Sequence, residues 1–105
     1  MVLVIDGVLE GLGFNTGGIS SQDYVMEKLK EKYGEPTAFT PLKIQNRLGA
    51  SFDAVTAEWS FDNLIVKFNS AEGQITSGLI NIDSPKGKKW REDKLNEIFK
   101  NNRSL

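Results

Sequence analysis

Ile19-Ser-Ser-Gln-Asp-Tyr-Val-Met-Glu-Lys-Leu-Lys-Glu-Lys-Tyr-Gly-Glu-Pro36 is the stretch from which the rest of this sequence can be laid out. Val25, Met26, Leu29 and Tyr33 recur at three- and four-residue spacing, the period of one buried helix face. Glu27, Lys28, Lys30 and Glu31 fall largely on the other side and read as a solvated face. Ser20 is placed as the N-cap, with its hydroxyl accepting a free backbone N–H. Asp23, three residues on, completes a capping box and sets negative charge at the positive end of the helix dipole. Ile19 and Tyr24 are spaced as a hydrophobic staple. Gly34 suits the left-handed position after the last turn, and Pro36 prevents the helix from resuming.

The flanking segments read as strands. Val2 to Ile5 is a short β-branched run; Gly7 bends it, and Val8 to Phe14 continues it by alternation. After Pro36 come Thr37 to Thr40 and then Pro41; Lys43 to Arg47 reads as a second extended piece, and the two prolines place this region at a sheet edge or in a loop. Asn46 and Gly49 suit positive-φ turn or bulge positions. From Phe52 to Phe61 the chain alternates, with Val55, Ala57, Trp59 and Phe61 on one face. Asp62-Asn63 marks a turn. Leu64, Val66 and Phe68 then face inward on the next strand, Ser70 to Gly73 closes a second hairpin, and Gln74 to Ile82 is a third strand. Ser84 to Gly87 ends the sheet region. Trp90 to Lys100 forms a second helix, with Leu95, Ile98 and Phe99 at helical spacing on a thin apolar face. The expected architecture is a single α+β domain over residues 1–105: an antiparallel meander of three to five strands, packed by one main helix, with a C-terminal helix.

Composition narrows the chemistry. The 105 residues include neither cysteine nor histidine. Disulfides, thiol catalysis and serine–histidine machinery are therefore outside this chain's means, and zinc is left with oxygen ligands only. Net charge is −1, but residues 86–105 hold 7 basic and 3 acidic side chains. The sequence pI of about 5.4 makes nucleic acid an unlikely target, because nucleic-acid modules carry a basic balance. No segment is long and apolar enough to span a membrane. Met-Val-Leu-Val-Ile is too short, and lacks the basic start, for a signal peptide. The chain is thus expected to be cytoplasmic, or a mature exported form whose signal is not shown.

Candidate sites are few, and each has a plain structural reading beside it. Lys86, Lys88, Lys89 and Arg91 surround Trp90; this cluster is the candidate partner-binding site, against a solvated turn whose tryptophan caps the core. Asp53, Glu58 and Asp62 are the candidate carboxylates for glycan hydrolysis, against surface solubility. Asp83 with Asn81 could meet a hard cation, although no EF-hand pattern is present. Trp59, Tyr33 and Phe61 could line a ligand pocket, but core packing is the stronger reading. The glycines from Gly11 to Gly18 fit neither the P-loop nor the dinucleotide spacing, and read as strand punctuation and linker. No catalytic residue, metal site or cofactor is assigned.

The pattern Leu29-x-x-Lys32-Tyr33-Gly34-x-Pro36, then Gln45-Asn46-x-x-Gly49-x-x-Phe52, then Trp59, resembles that of a loose group of small bacterial proteins, often exported or phage-associated and mostly uncharacterised. The matching motifs are fold punctuation, so the resemblance implies a bacterial accessory domain and no activity. The helix-on-meander plan is also similar to small periplasmic lipoprotein domains of the outer-membrane assembly type. This chain lacks their lipid-attachment cysteine and their pair of leading helices. The expected function is a non-catalytic binding or accessory domain with a protein partner, met through an exposed apolar patch or an edge strand. The alternatives are a carboxylate-based glycan hydrolase and nucleic-acid binding through the basic C-terminal segment.

Overall fold

Asp6 and Gly7 both take positive φ, 51° and 80°, and this two-residue turn folds the N-terminal run back on itself. Val2 to Phe14 is therefore a hairpin rather than one bent strand. Asp-Gly between apolar runs is the primed-turn signature, whose twist matches that of the flanking strands. The computed structural model describes residues 2–103, and the side chains at 72–74 and 99–103 lie outside that description. The Phe99 side chain, expected on the helix's apolar face, is among them.

The elements in order are β1 (Val2–Ile5), β2 (Val8–Thr16), a 3-10 turn (Gly18–Ser21), α1 (Gln22–Tyr33), β3 (Ala38–Gln45), β4 (Ser51–Ser60), β5 (Ile65–Gln74), β6 (Ser77–Asp83) and α2 (Pro85–Arg103). The α+β class and the antiparallel meander stand, but the sheet has six strands, in the order β1-β2-β6-β5-β4-β3, where three to five were expected. The extra strand comes from the N-terminal hairpin, which joins the meander through β2 against β6. β3 is an edge strand, the position that Pro41 within it favours. No helix among the described residues is long and apolar enough to cross a membrane.

Strand register sorts the side chains onto two faces. Trp59, Val66, Ile82 and Leu12 align across β4, β5, β6 and β2, with Ala57, Phe68, Ile80 and Phe14 in the next row. α1 lies on this face: Leu29 joins Ala57, Trp59, Val66 and Phe68 in the buried core, with Val25, Met26 and Tyr33 packed against them. Trp59 is fully buried, and its indole N–H donates to the Gly34 carbonyl at 2.8 Å. One side chain thus fills the core and fastens the end of the helix.

Several local expectations fail. A 3-10 turn precedes α1, the N-cap is Ser21, and no side chain caps the helix. The Ser20 hydroxyl instead donates to the Gly17 carbonyl at 3.1 Å, so the Ser20–Asp23 capping box does not form. The Ile19 N–H is taken by the Ile75 carbonyl at 2.9 Å; this tertiary bond outranks the local cap. Tyr24 is 64% exposed rather than stapled to Ile19. Ser70 to Gly73 is not a hairpin turn: β5 runs on to Gln74 with an irregularity in that stretch, and the chain reverses at Ile75-Thr76. Ser70 is buried, and its hydroxyl accepts the Val55 N–H at 2.8 Å, which holds this polar run inside the sheet. Gly34 and Gly49 take the expected positive φ, whereas Asn46 does not; its side chain accepts the Leu48 and Ala50 N–H groups at 2.9 and 3.0 Å.

Candidate functional site

The second face of the sheet is polar. Glu58, Lys67, Asn81 and Gly13 form one row across it; Ser60, Ile65, Asp83 and Gly11 form the next. α2 lies over this face and begins earlier than its apolar residues suggest, at Pro85 rather than Trp90. Ser84 caps it, its hydroxyl accepting the Gly87 N–H at 3.0 Å. Serine before proline is a start signal for a helix, because proline at the first position gives up an N–H that would be unsatisfied anyway. Reading the helix from hydrophobic period alone misses it.

A bulge brings α2 onto the sheet. The β1–β2 pairing shifts so that Leu3 faces Gly11 and Val4 faces Leu9, leaving Glu10 as the extra residue. The Glu10 carbonyl accepts the Ser84 N–H at 2.9 Å, and its carboxylate meets the Ser84 hydroxyl. Gly87 packs directly on this spot, where a Cβ would stand 2.2 Å from the Glu10 carbonyl oxygen. One turn on, Arg91 Nε donates to both Asp83 carboxylate oxygens at 3.0 Å. Gly11 makes room for this pair, since a Cβ there would stand 2.2 Å from Asp83 Oδ1. Lys88 reaches Glu58 at 3.2 Å. α2 is therefore held by a backbone seat and by ion pairs from Lys86, Lys88 and Arg91 rather than by an apolar stripe, and Leu95 and Ile98 remain exposed.

The cluster singled out from the sequence is divided by the helix. Lys88 and Arg91 turn inward to Glu58 and Asp83, Lys86 pairs with Asp6 at 3.4 Å, and Lys89 and Trp90 stay at the surface. The carboxylates are likewise dispersed. Asp53 meets Lys43 at 2.9 Å, Glu58 meets Lys88, and Asp62 is exposed in the β4–β5 turn. Asp53 and Glu58 are five residues apart on one strand, about 17 Å at strand rise, beyond the spacing of a hydrolytic carboxylate pair. Among the described residues no three acidic side chains gather as a metal site. The Trp59 and Phe61 ring centroids lie 6.4 and 6.2 Å from that of Tyr33; Trp59 and Tyr33 belong to the core, while Phe61 is 47% exposed at its margin.

Two surface features remain. A cavity of about 250 Å³ opens between α2 and the polar face. On the other face, α1 covers β4–β6 and leaves both flanks bare: β3, where Phe39 opposite Ala57 is 50% exposed, and the broader β1–β2 hairpin. Val2 pairs with Leu12, and Val4 with Leu9, so these aliphatics continue the core face. Val2, Val4, Leu9 and Phe14 are 61%, 57%, 56% and 49% exposed. The patch is not legible in the sequence, where Val2 to Phe14 reads as one bent strand and its two apolar runs do not share a face. No protein-family model, curated protein or solved structure matches the chain.

Proposed function

We propose that this chain is a non-catalytic binding domain that receives a protein partner on the bare apolar half of its sheet. The observation that carries this reading is the patch of Val2, Val4, Leu9 and Phe14, which extends the buried core face and is left uncovered by the described residues. Large contiguous apolar patches are uncommon on soluble monomers and mark interaction surfaces. The edge beside the patch supports the same reading. β1 is Val-Leu-Val-Ile, without the lysine or proline that ordinarily blunts a free edge. The opposite edge, β3, carries both Pro41 and Lys43. A partner that adds a strand to β1 would gain backbone hydrogen bonds and cover the patch together. The bacterial, export-associated setting implied by the resemblance is part of this proposal.

The test compares capture of native-source proteins by the unmodified chain and by a Val4→Lys/Leu9→Lys variant. A captured protein is then purified and its affinity measured. Surface substitutions of this kind move stability by only about 0.5 kcal/mol, so urea unfolding of the variant should be nearly unchanged. A partner bound at least about tenfold more weakly by the variant supports the reading. A partner held equally by both proteins removes it.

A further inference from the structure

We infer that the cavity between α2 and the polar face of the sheet is a binding site for a free α-amino acid with an aliphatic side chain. The inference concerns the opposite face from the proposed partner surface and does not rest on that reading. At about 250 Å³ the cavity is below the range of drug-sized pockets, and its size suits a single amino acid. Its charged lining is Lys67, Lys88 and Arg91 against Glu58, Asp83 and Glu92. The signs balance, so a neutral ligand bearing both charges fits the site better than a phosphate or another anion.

The pairing of those charges sharpens the match. Lys67 stands directly across from Glu58 in the β4–β5 ladder, yet the Glu58 carboxylate goes to Lys88, while Arg91 takes Asp83. Lys67 and Glu92 are left without an ion-pair partner among the described residues, one of each sign and both exposed at the cavity wall. They suit the carboxylate and the ammonium of a zwitterion. Ile65, Leu79 and Leu95 supply the apolar part of the wall. Behind the wall, Asn81 Oδ1 and Arg91 Nη2 are buried with no hydrogen-bond partner among the described residues. Folded proteins rarely leave such groups unmet, so these two side chains have hydrogen-bonding capacity in reserve beside the cavity.

The experiment titrates the purified chain by calorimetry and by ¹H–¹⁵N NMR with L-leucine, L-leucinamide, which lacks the carboxylate, and 4-methylpentanoate, which lacks the ammonium. Leucine should bind, with shifts at the Asn81 side-chain amide and Arg91 Nε, and each analogue should bind about tenfold more weakly. Lys67→Met should lose about tenfold for leucine but little for leucinamide, and Glu92→Gln should lose about tenfold for leucine but little for 4-methylpentanoate. Both residues are exposed, so both variants should fold as the parent does. The inference is overturned if leucine, isoleucine, valine and methionine show no saturable binding up to about 10 mM. Binding indifferent to both substitutions, or inorganic phosphate perturbing the same amides more strongly than leucine, also overturns it.

Discussion

Trp59 shows how much one residue can settle. It sits at an inward position of β4, fills the centre of the core, and reaches the Gly34 carbonyl with its single donor. Two separate functions can be pulled apart by substitution. Trp59→Phe keeps an aromatic ring but removes the N–H, and should lower stability by about 1–2 kcal/mol. Trp59→Ala also leaves a cavity and should cost about 3–5 kcal/mol. Urea unfolding of both variants checks the ordering; equal losses would mean that ring packing adds nothing beyond the hydrogen bond, and an unchanged Trp59→Phe would mean that the hydrogen bond contributes nothing. Gly11 is a second case in which the residue is explained by what lies above it. The Asp83–Arg91 pair occupies the space where its Cβ would be.

At the scale of elements, α2 separates helix propensity from docking. Gly87 is a weak helix former, and alanine in its place favours a helix by about 1 kcal/mol. In the folded chain the added Cβ would stand 2.2 Å from the Glu10 carbonyl oxygen and 3.0 Å from its carbon, which are backbone atoms with little room to yield. Gly87→Ala should therefore destabilise the protein by about 1–3 kcal/mol while raising the helicity of an isolated 84–103 peptide. Circular dichroism of the peptide and urea unfolding of the protein read the two signs independently. The start of α2 was written locally, in Ser84 and Pro85. Its polar docking face was not, because Lys88 and Arg91 look like solvated charges until β6 and β4 bring Asp83 and Glu58 beneath them.

The whole molecule is broad and thin, 44 × 43 × 21 Å, with a radius of gyration of 15.1 Å where about 13 Å is usual for a compact chain of this length. The cause is geometric. A helix is about 10 Å across, and six strands spaced about 4.8 Å apart span about 24 Å between the outer strand axes. One helix on a face therefore covers two or three strands. α1 covers β4–β6, and β3 on one flank and the β1–β2 hairpin on the other stay bare on the same face. Stability should be distributed accordingly. The amides of Val66 and Phe68 in β5 should exchange only on global unfolding, whereas those of Thr40 and Leu42 in exposed β3 should exchange at least about a hundredfold faster. Native-state hydrogen exchange measures this, and uniform protection across the sheet would contradict it.

Alternation and helical period, taken alone, determined the central β4–β5 hairpin, the inward set of Trp59, Val66 and Phe68, and the helix stripe through Leu29. These depend on neighbours a few residues away, and burial of one continuous apolar face enforces them. Tertiary structure alone decided that β2 joins β6, that Ile75 takes the N–H next to the expected cap, and that Ser70 lies inside the sheet. It also decided which half of the apolar face is left in water. Each of these depends on hydrogen-bonding or covering groups distant in sequence, whose competition with local signals is resolved only when the sheet closes around its register.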